Sequence, residues 1–101
     1  MGRNQTGVID FSLAEIAVLS ASMRDETGRS SAIALEHLTK EDFTSPTHQQ
    51  IFSVIALHSP DVNEVDVLIA LPDLASEISE IAEQYGGGQI ERYVDYLIEH
   101  R

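Results

Sequence analysis

The chain contains no cysteine among its 101 residues. Neither a disulfide framework nor a thiolate metal site can stabilise the fold, so side-chain packing must do so. No apolar run approaches the roughly 20 residues that span a bilayer, and the N-terminal sequence lacks the apolar region of a secretory signal. We therefore expect a soluble, cytoplasmic protein that makes no membrane contact. Its length and its 43% of hydrophobic residues suit one domain with a single modest core.

Basic residues are scarce: 6 Lys and Arg stand against 17 Asp and Glu, a net charge of -11. Between Lys40 and Arg92 there is no basic residue, and the carboxylates there are Glu41, Asp42, Asp61, Glu64, Asp66, Asp73, Glu77, Glu80, Glu83 and Glu91. Phosphate binding relies on Lys and Arg, so we expect no direct binding of nucleic acid. A basic protein is the natural complement of such a chain, although solubility alone also accounts for the charge.

Patterns that carry catalysis or bind metals are missing from the sequence. Lys40 is the only lysine and follows no glycine-rich loop, which argues against ATP hydrolysis. None of the four histidines lies four residues from another, as a helical zinc site requires. The segment Asp61–Asp66 lacks the central glycine of a calcium loop, and no Ser-His-Asp arrangement is recognisable. We predict no enzymatic activity, no cofactor and no metal site.

The spacing of apolar residues predicts an all-α fold, a compact bundle of about five to six short helices. Residues 1–10 have no apolar period and predict a flexible arm, and residues 11–101 form the single helical domain. Val65–Leu71 is rich in β-branched residues, but no second strand is available to pair with it. We therefore expect a short helix there.

The first helix is predicted over residues 13–24. Ser12 and Glu15 have the spacing of a capping box, in which each side chain bonds the backbone of the other. The apolar side of this helix is expected to bury Leu13, Ile16, Ala17, Leu19 and Met23. Gly28 predicts the break that follows.

A second helix is predicted from a cap at Ser30 or Ser31 through Leu38. Its buried candidates are Ile33, Leu35 and Leu38. The segment Thr39–Asp42 resembles another capped turn, too short for an independent helix, and it directs Phe43 inward.

Ser45 and Pro46 predict the start of a third helix, because proline at the first helical position loses no hydrogen bond. Through about His58, one face of this helix collects His48, Ile51, Phe52 and Ile55. We expect this helix to be central. For His48 we expect a place at the edge of the core, with a hydrogen bond to a backbone carbonyl group.

Two further helices are predicted towards the C-terminus. The first starts at Pro72, and its apolar stripe contains Leu74, Ile78, Ile81, Ala82 and Tyr85. The run Gly86-Gly87-Gly88 ends it. The last helix begins at about Gln89, and its apolar face contains Ile90, Tyr93, Val94, Leu97 and Ile98.

Residues on the polar faces of these two helices are candidates for partner binding. Glu77, Glu80 and Glu83 lie mostly off the apolar stripe of their helix. On the last helix, Asp95 and Tyr96 face away from the core, and an exposed tyrosine is a frequent interface residue. Such carboxylates are also typical of a solvated helix face.

Several segments resemble the N-terminal domain of DnaB-type bacterial replicative DNA helicases. The first part of the resemblance is the segment Ala14–Leu19, followed by Glu41-Asp42-Phe43, Pro46, His48, Ile51-Phe52 and Ile55. The second part comprises Asp66-Val67, Leu71, Tyr93-Val94 and Leu97-Ile98. The resemblance covers nearly all of residues 11–99 and implies a helical globular head.

The resemblance implies a module that helps to build a hexameric collar and contacts primase and helicase-loader proteins. The chain departs from the family pattern at Ser20, where glycine is usual, and at Thr44, where an aromatic residue is frequent. The sequence stops at Arg101, so we expect no motor domain and, without the family's helical hairpin, a monomer or weak dimer. A helicase fragment and a free-standing homologue both fit.

Two other interpretations remain. The C-terminal helicase-binding domain of primase has a similar helical head. From a different class, a small acidic regulatory or antitoxin-like protein that binds a basic target would share the composition.

Overall fold

The computed structural model describes residues 11–84 and 90–100, and within these ranges the fold is all-α, with no strand. The α-helices are α1 (Phe11–Arg24), α2 (Arg29–His37), α3 (Pro46–His58), α4 (Glu64–Ala70), α5 (Ala75–Glu83) and α6 (Ile90–His100). Two 3-10 turns cover Lys40–Asp42 and Pro72–Leu74. The predicted arm at residues 1–10, Tyr85 and the glycine run lie outside the described residues. No described helix combines the length and the apolar character needed to cross a membrane.

Helix α1 lies at the centre of the fold and packs against α2, α3, α5 and α6. The prediction that α3 is central is therefore wrong. Small side chains let neighbouring helices approach α1 from several sides, and the buried small residues of α1 are Ala14, Ser20, Ala21 and Ser22. The Ser22 hydroxyl donates to the Val18 carbonyl oxygen at 2.8 Å, so its burial leaves no unpaired donor.

The predicted apolar side of α1 is only partly correct. Leu19 and Met23 are buried as expected, but Leu13 is 47% exposed and Ile16 and Ala17 are only partly buried. A single apolar stripe describes a helix that meets the core on one side. Because neighbours surround α1, their positions decide which residues are buried.

Helix α3 begins and packs as its sequence predicts. The Ser45 hydroxyl accepts a hydrogen bond from the His48 amide, and Pro46 occupies the first turn. Ile51, Phe52 and Ile55 are buried. The preceding 3-10 turn directs Phe43 inward, where its ring centroid lies 4.7 Å from that of Phe52.

The C-terminal helices also follow the predicted pattern, with one change of boundary. Val65–Ala70 is helical as expected, within α4, and Leu71 is the C-cap residue. Mutual hydrogen bonds between Asn63 and Asp66 cap the start of this helix. Pro72 starts a 3-10 turn, and α5 begins only at Ala75. The core receives Ile78, Ile81 and Ala82 from α5 and Ile90, Val94 and Leu97 from α6.

The break at Gly28 between α1 and α2 is confirmed, but the predicted cap of α2 at Ser30 or Ser31 is wrong. Gly28 has a φ of 79°, and a Cβ atom there would lie 2.6 Å from the Pro60 carbonyl oxygen, so no other residue fits without strain. Gly28 is the N-cap residue of α2, and the Asp25 carboxylate accepts hydrogen bonds from the amide and the hydroxyl group of Ser30. Ser30 and Ser31 are instead buried inside α2, because the helix already begins at Arg29.

We expect Gly28→Ala to lower the free energy of unfolding by about 2 kcal/mol, because the new side chain meets both a left-handed backbone and the Pro60 carbonyl group. Urea denaturation followed by circular dichroism measures this. The exposed Glu26→Ala variant, in the same turn, is the control and should change the value by less than about 0.5 kcal/mol. Equal stability of the two variants would contradict the role given to Gly28.

Asp25 also makes the stability depend on pH. Hydrogen bonds from Thr27 and Ser30 lower the pKa of Asp25 from 3.8 to about 2. A lowered pKa in the folded state stabilises the fold above the unfolded pKa, and this stabilisation is lost as the pH falls towards the folded pKa. We expect the stability advantage of the native chain over Asp25→Asn to shrink between about pH 4 and pH 2. Urea denaturation at a series of pH values tests this, and a constant difference would refute it.

Candidate partner-binding cleft

A cleft with a volume of about 590 Å³ lies where α1, the start of α3 and α5 meet. Its lining residues are Ile16 from α1, then Ser45, Thr47 and His48, and finally Glu77, Glu80, Ile81, Glu83 and Gln84. Three of the five residues predicted to bind a partner therefore share one concave surface. The cleft joins segments that are far apart in sequence.

The wall formed by α5 carries Glu77, Glu80 and Glu83, all exposed. Steps of three residues place these carboxylates on one broad side of the helix, while Ile78, Ile81 and Ala82 hold the other side in the core. No ion pair is formed by any of the three among residues 11–84 and 90–100. Their mutual repulsion is thus not relieved by a neighbouring Lys or Arg.

The other two predicted residues lie on α6, outside the cleft lining. Asp95 is exposed, as expected. Tyr96 is partly buried and packs against the core, so it is not the outward-facing tyrosine that the sequence predicted. Helix α6 packs against both α1 and α2, and contact with two helices covers more of its surface than a single apolar stripe implies.

Behind the cleft, the carboxylate of Glu15 is completely buried and connects α1 to α3. One oxygen, Oε2, accepts hydrogen bonds from the Thr44 amide at 2.7 Å and the Thr44 hydroxyl at 2.8 Å. The other, Oε1, lies 2.6 Å from Nδ1 of His48. The predicted capping box of Ser12 and Glu15 is therefore wrong: α1 already begins at Phe11, and Glu15 bonds residues about 30 positions away.

His48 stands between this buried carboxylate and the cleft. Its side chain is 12% exposed, and its partner is Glu15 and not the backbone carbonyl group that we predicted. In the tautomer that carries its proton on Nδ1, the ring donates to the Glu15 carboxylate and Nε2 is an acceptor. No residue of the described chain forms a hydrogen bond with Nε2.

The cleft is rich in hydrogen-bond acceptors and poor in charged donors. Three carboxylates and one imidazole line it together with Ile16 and Ile81, and no Lys or Arg does. Among the residues that the structure describes, no three His, Asp or Glu side chains are grouped to hold a metal ion. This chemistry fits a positively charged group that also offers apolar surface.

Comparison with known proteins places the chain in a family. The profile of the DnaB-like helicase N terminal domain matches residues 12–99. The chain belongs to this family. Neither a curated protein nor a solved structure matches the chain significantly. The match to the helicase domain includes all the residues that line the cleft.

Ser20 and Thr44 are hydrogen-bond donors that connect the elements around the cleft. Thr44 supplies two of the bonds to the Glu15 carboxylate. The Ser20 hydroxyl donates to the Ala82 carbonyl oxygen at 3.3 Å, and Arg24 donates to the same oxygen at 3.0 Å. Thr44 thus connects the segment before α3 to α1, and Ser20 connects α1 to the C-terminal end of α5.

We expect Glu15→Gln to lower the free energy of unfolding by about 2 kcal/mol, because hydrogen bonds to a charged acceptor are lost and an amide must face buried donors. The exposed Glu26→Gln variant removes the same charge and should change stability by less than about 0.5 kcal/mol. Urea denaturation compares the two. The Thr44 amide signal in a proton–nitrogen NMR spectrum should move only in Glu15→Gln, and an unmoved signal would contradict the assigned bond.

Proposed function

We propose that the chain is a protein–protein interaction module of the DNA replication machinery. On this proposal it binds primase, a helicase loader or the replicative helicase itself, and it has no ATPase activity of its own. The observation that carries the proposal is the family match over residues 12–99 of the 101-residue chain. Resemblance to the helicase N-terminal domain implies contacts of this kind, and replication partners imply a cytoplasmic location.

The composition supports a role in binding. Lys40, the only lysine, lies in a 3-10 turn without a neighbouring glycine-rich loop, so the chain offers no lysine-based phosphate cradle. A net charge of -11 disfavours direct contact with nucleic acid and favours a basic partner surface. The same charge opposes self-association, which is why we propose a monomer or weak dimer.

The surface that we propose for docking is the α5 wall of the cleft, with Glu77, Glu80 and Glu83. These carboxylates are exposed and lack ion pairs within the described ranges, so a basic partner would meet them without breaking an internal bond. Asp95 and Tyr96 on α6 are a separate candidate contact. Attraction between exposed charges is screened by salt, so binding should weaken as ionic strength rises.

A second candidate function is a small acidic regulator, antitoxin-like in its action, that neutralises a basic protein outside replication. The observation in its favour is the net charge of -11, which would attract a basic protein whether or not that protein takes part in replication. Purification from the source cell distinguishes the two functions. Recovery of a basic protein unrelated to replication would favour the regulator.

Calorimetric titration of the chain with the cognate primase, loader and helicase tests the proposal. We expect at least one to bind, and we expect the triple variant Glu77→Gln, Glu80→Gln, Glu83→Gln to bind it about tenfold more weakly, since each exposed charge contributes up to about 1 kcal/mol. The control is Glu26→Gln, Glu41→Gln, Glu99→Gln, which changes the net charge equally at exposed sites outside the cleft. Absence of binding to all three proteins would refute the proposed function.

A further inference from the structure

We infer that the cleft between α1, α3 and α5 receives an arginine side chain of the partner protein. This inference rests on the proposed function, since it names the partner group that the docking surface binds. His48 and two neighbouring carboxylates among Glu77, Glu80 and Glu83 would accept the N–H groups of the guanidinium. The stem of the arginine would pack on Ile16 and Ile81.

The spacing of the carboxylates on α5 favours a planar guanidinium group over an ammonium group or a metal ion. Glu77 and Glu83 are six residues apart on α5, which separates them by about 9 Å along the helix axis at 1.5 Å per residue. An ammonium group or a metal ion is a point charge and cannot meet acceptors spread over such a wall. A guanidinium carries five N–H donors in one plane and can bond two carboxylates and the imidazole at once.

His48 supplies an acceptor at a fixed position on the opposite side of the cleft. Its Nδ1 atom is held by Glu15 at 2.6 Å, so the ring cannot turn to satisfy Nε2 elsewhere. The side chain is 12% exposed and Nε2 has no partner within the described part of the chain. The His48 side chain is largely buried, and its Nε2 atom gains a hydrogen bond when a donor enters the cleft.

The remaining lining fits the rest of an arginine side chain. Ile16 is partly buried and Ile81 is 6% exposed, so the cleft offers apolar surface beside the acceptors. The three-carbon stem of arginine covers such surface while its charged end stays near the carboxylates. Entry of the cation would also relieve repulsion among three like charges on α5.

Titration of the full-length, nitrogen-15-labelled chain with N-acetyl-arginine methylamide tests the inference by NMR. We expect the amide signals of Ile16, His48 and Glu80 to shift, with a dissociation constant in the millimolar range. The lysine counterpart should bind about threefold or more weakly, and the uncharged citrulline counterpart should produce no shift. Equal affinity for arginine and lysine, a larger response to magnesium chloride, or shifts outside the cleft would overturn the inference.

Two matched variants separate a binding role from a structural one. Glu80→Gln should weaken binding of the arginine probe about threefold without lowering the midpoint of urea denaturation, since it removes a repulsive charge. The exposed Glu99→Gln variant should leave probe binding unchanged. Identical binding by both variants would overturn the inference. If the probe fails while primase, loader or helicase still binds, only the arginine site is wrong and the proposed function stands.

Discussion

The fold around the cleft depends on one buried interaction, the contact of the Glu15 carboxylate with Thr44 and His48. A fully buried carboxylate is costly without hydrogen bonds, and here Oε2 bonds the amide and hydroxyl groups of Thr44 while Oε1 bonds His48. These bonds attach the start of α3 to the central helix α1. They also fix the orientation of the His48 ring, so one interaction serves both the core and the surface of the cleft.

Contacts on the core side of α5 stabilise the helix that carries the exposed glutamates of the cleft. Helix α5 carries three exposed glutamates, and Glu83 lies at its C-terminal end, where the helix dipole disfavours a negative charge. The Ala82 carbonyl oxygen accepts hydrogen bonds from both Ser20 and Arg24, which brings a positive charge to that end. Burial of Ile78, Ile81 and Ala82 supplies the remaining support. Helix α5 is therefore stable without neutralising its outer carboxylates, which stay available to a partner.

Family membership and local chemistry contribute different parts of the functional argument. The proposed role in replication, through contact with other proteins, rests on membership in the helicase N-terminal domain family. The proposed kind of contact rests on the cleft, whose lining combines acceptors and apolar side chains and contains no Lys or Arg. Ser20 and Thr44 form hydrogen bonds that connect the elements around this space.

The amino-acid sequence by itself determined the helices, because caps, prolines and apolar spacing act over a few residues. Pro46 to His58, the 3-10 turn before Phe43 and the face of Ile90, Val94 and Leu97 were predicted in this way. It also determined that Glu77, Glu80 and Glu83 share one side of a helix. Only the tertiary structure decided that α1 is central, that Tyr96 packs inward and that Glu15 bonds His48 instead of capping its own helix. These outcomes depend on contacts between residues dozens of positions apart, for which local periodicity carries no signal.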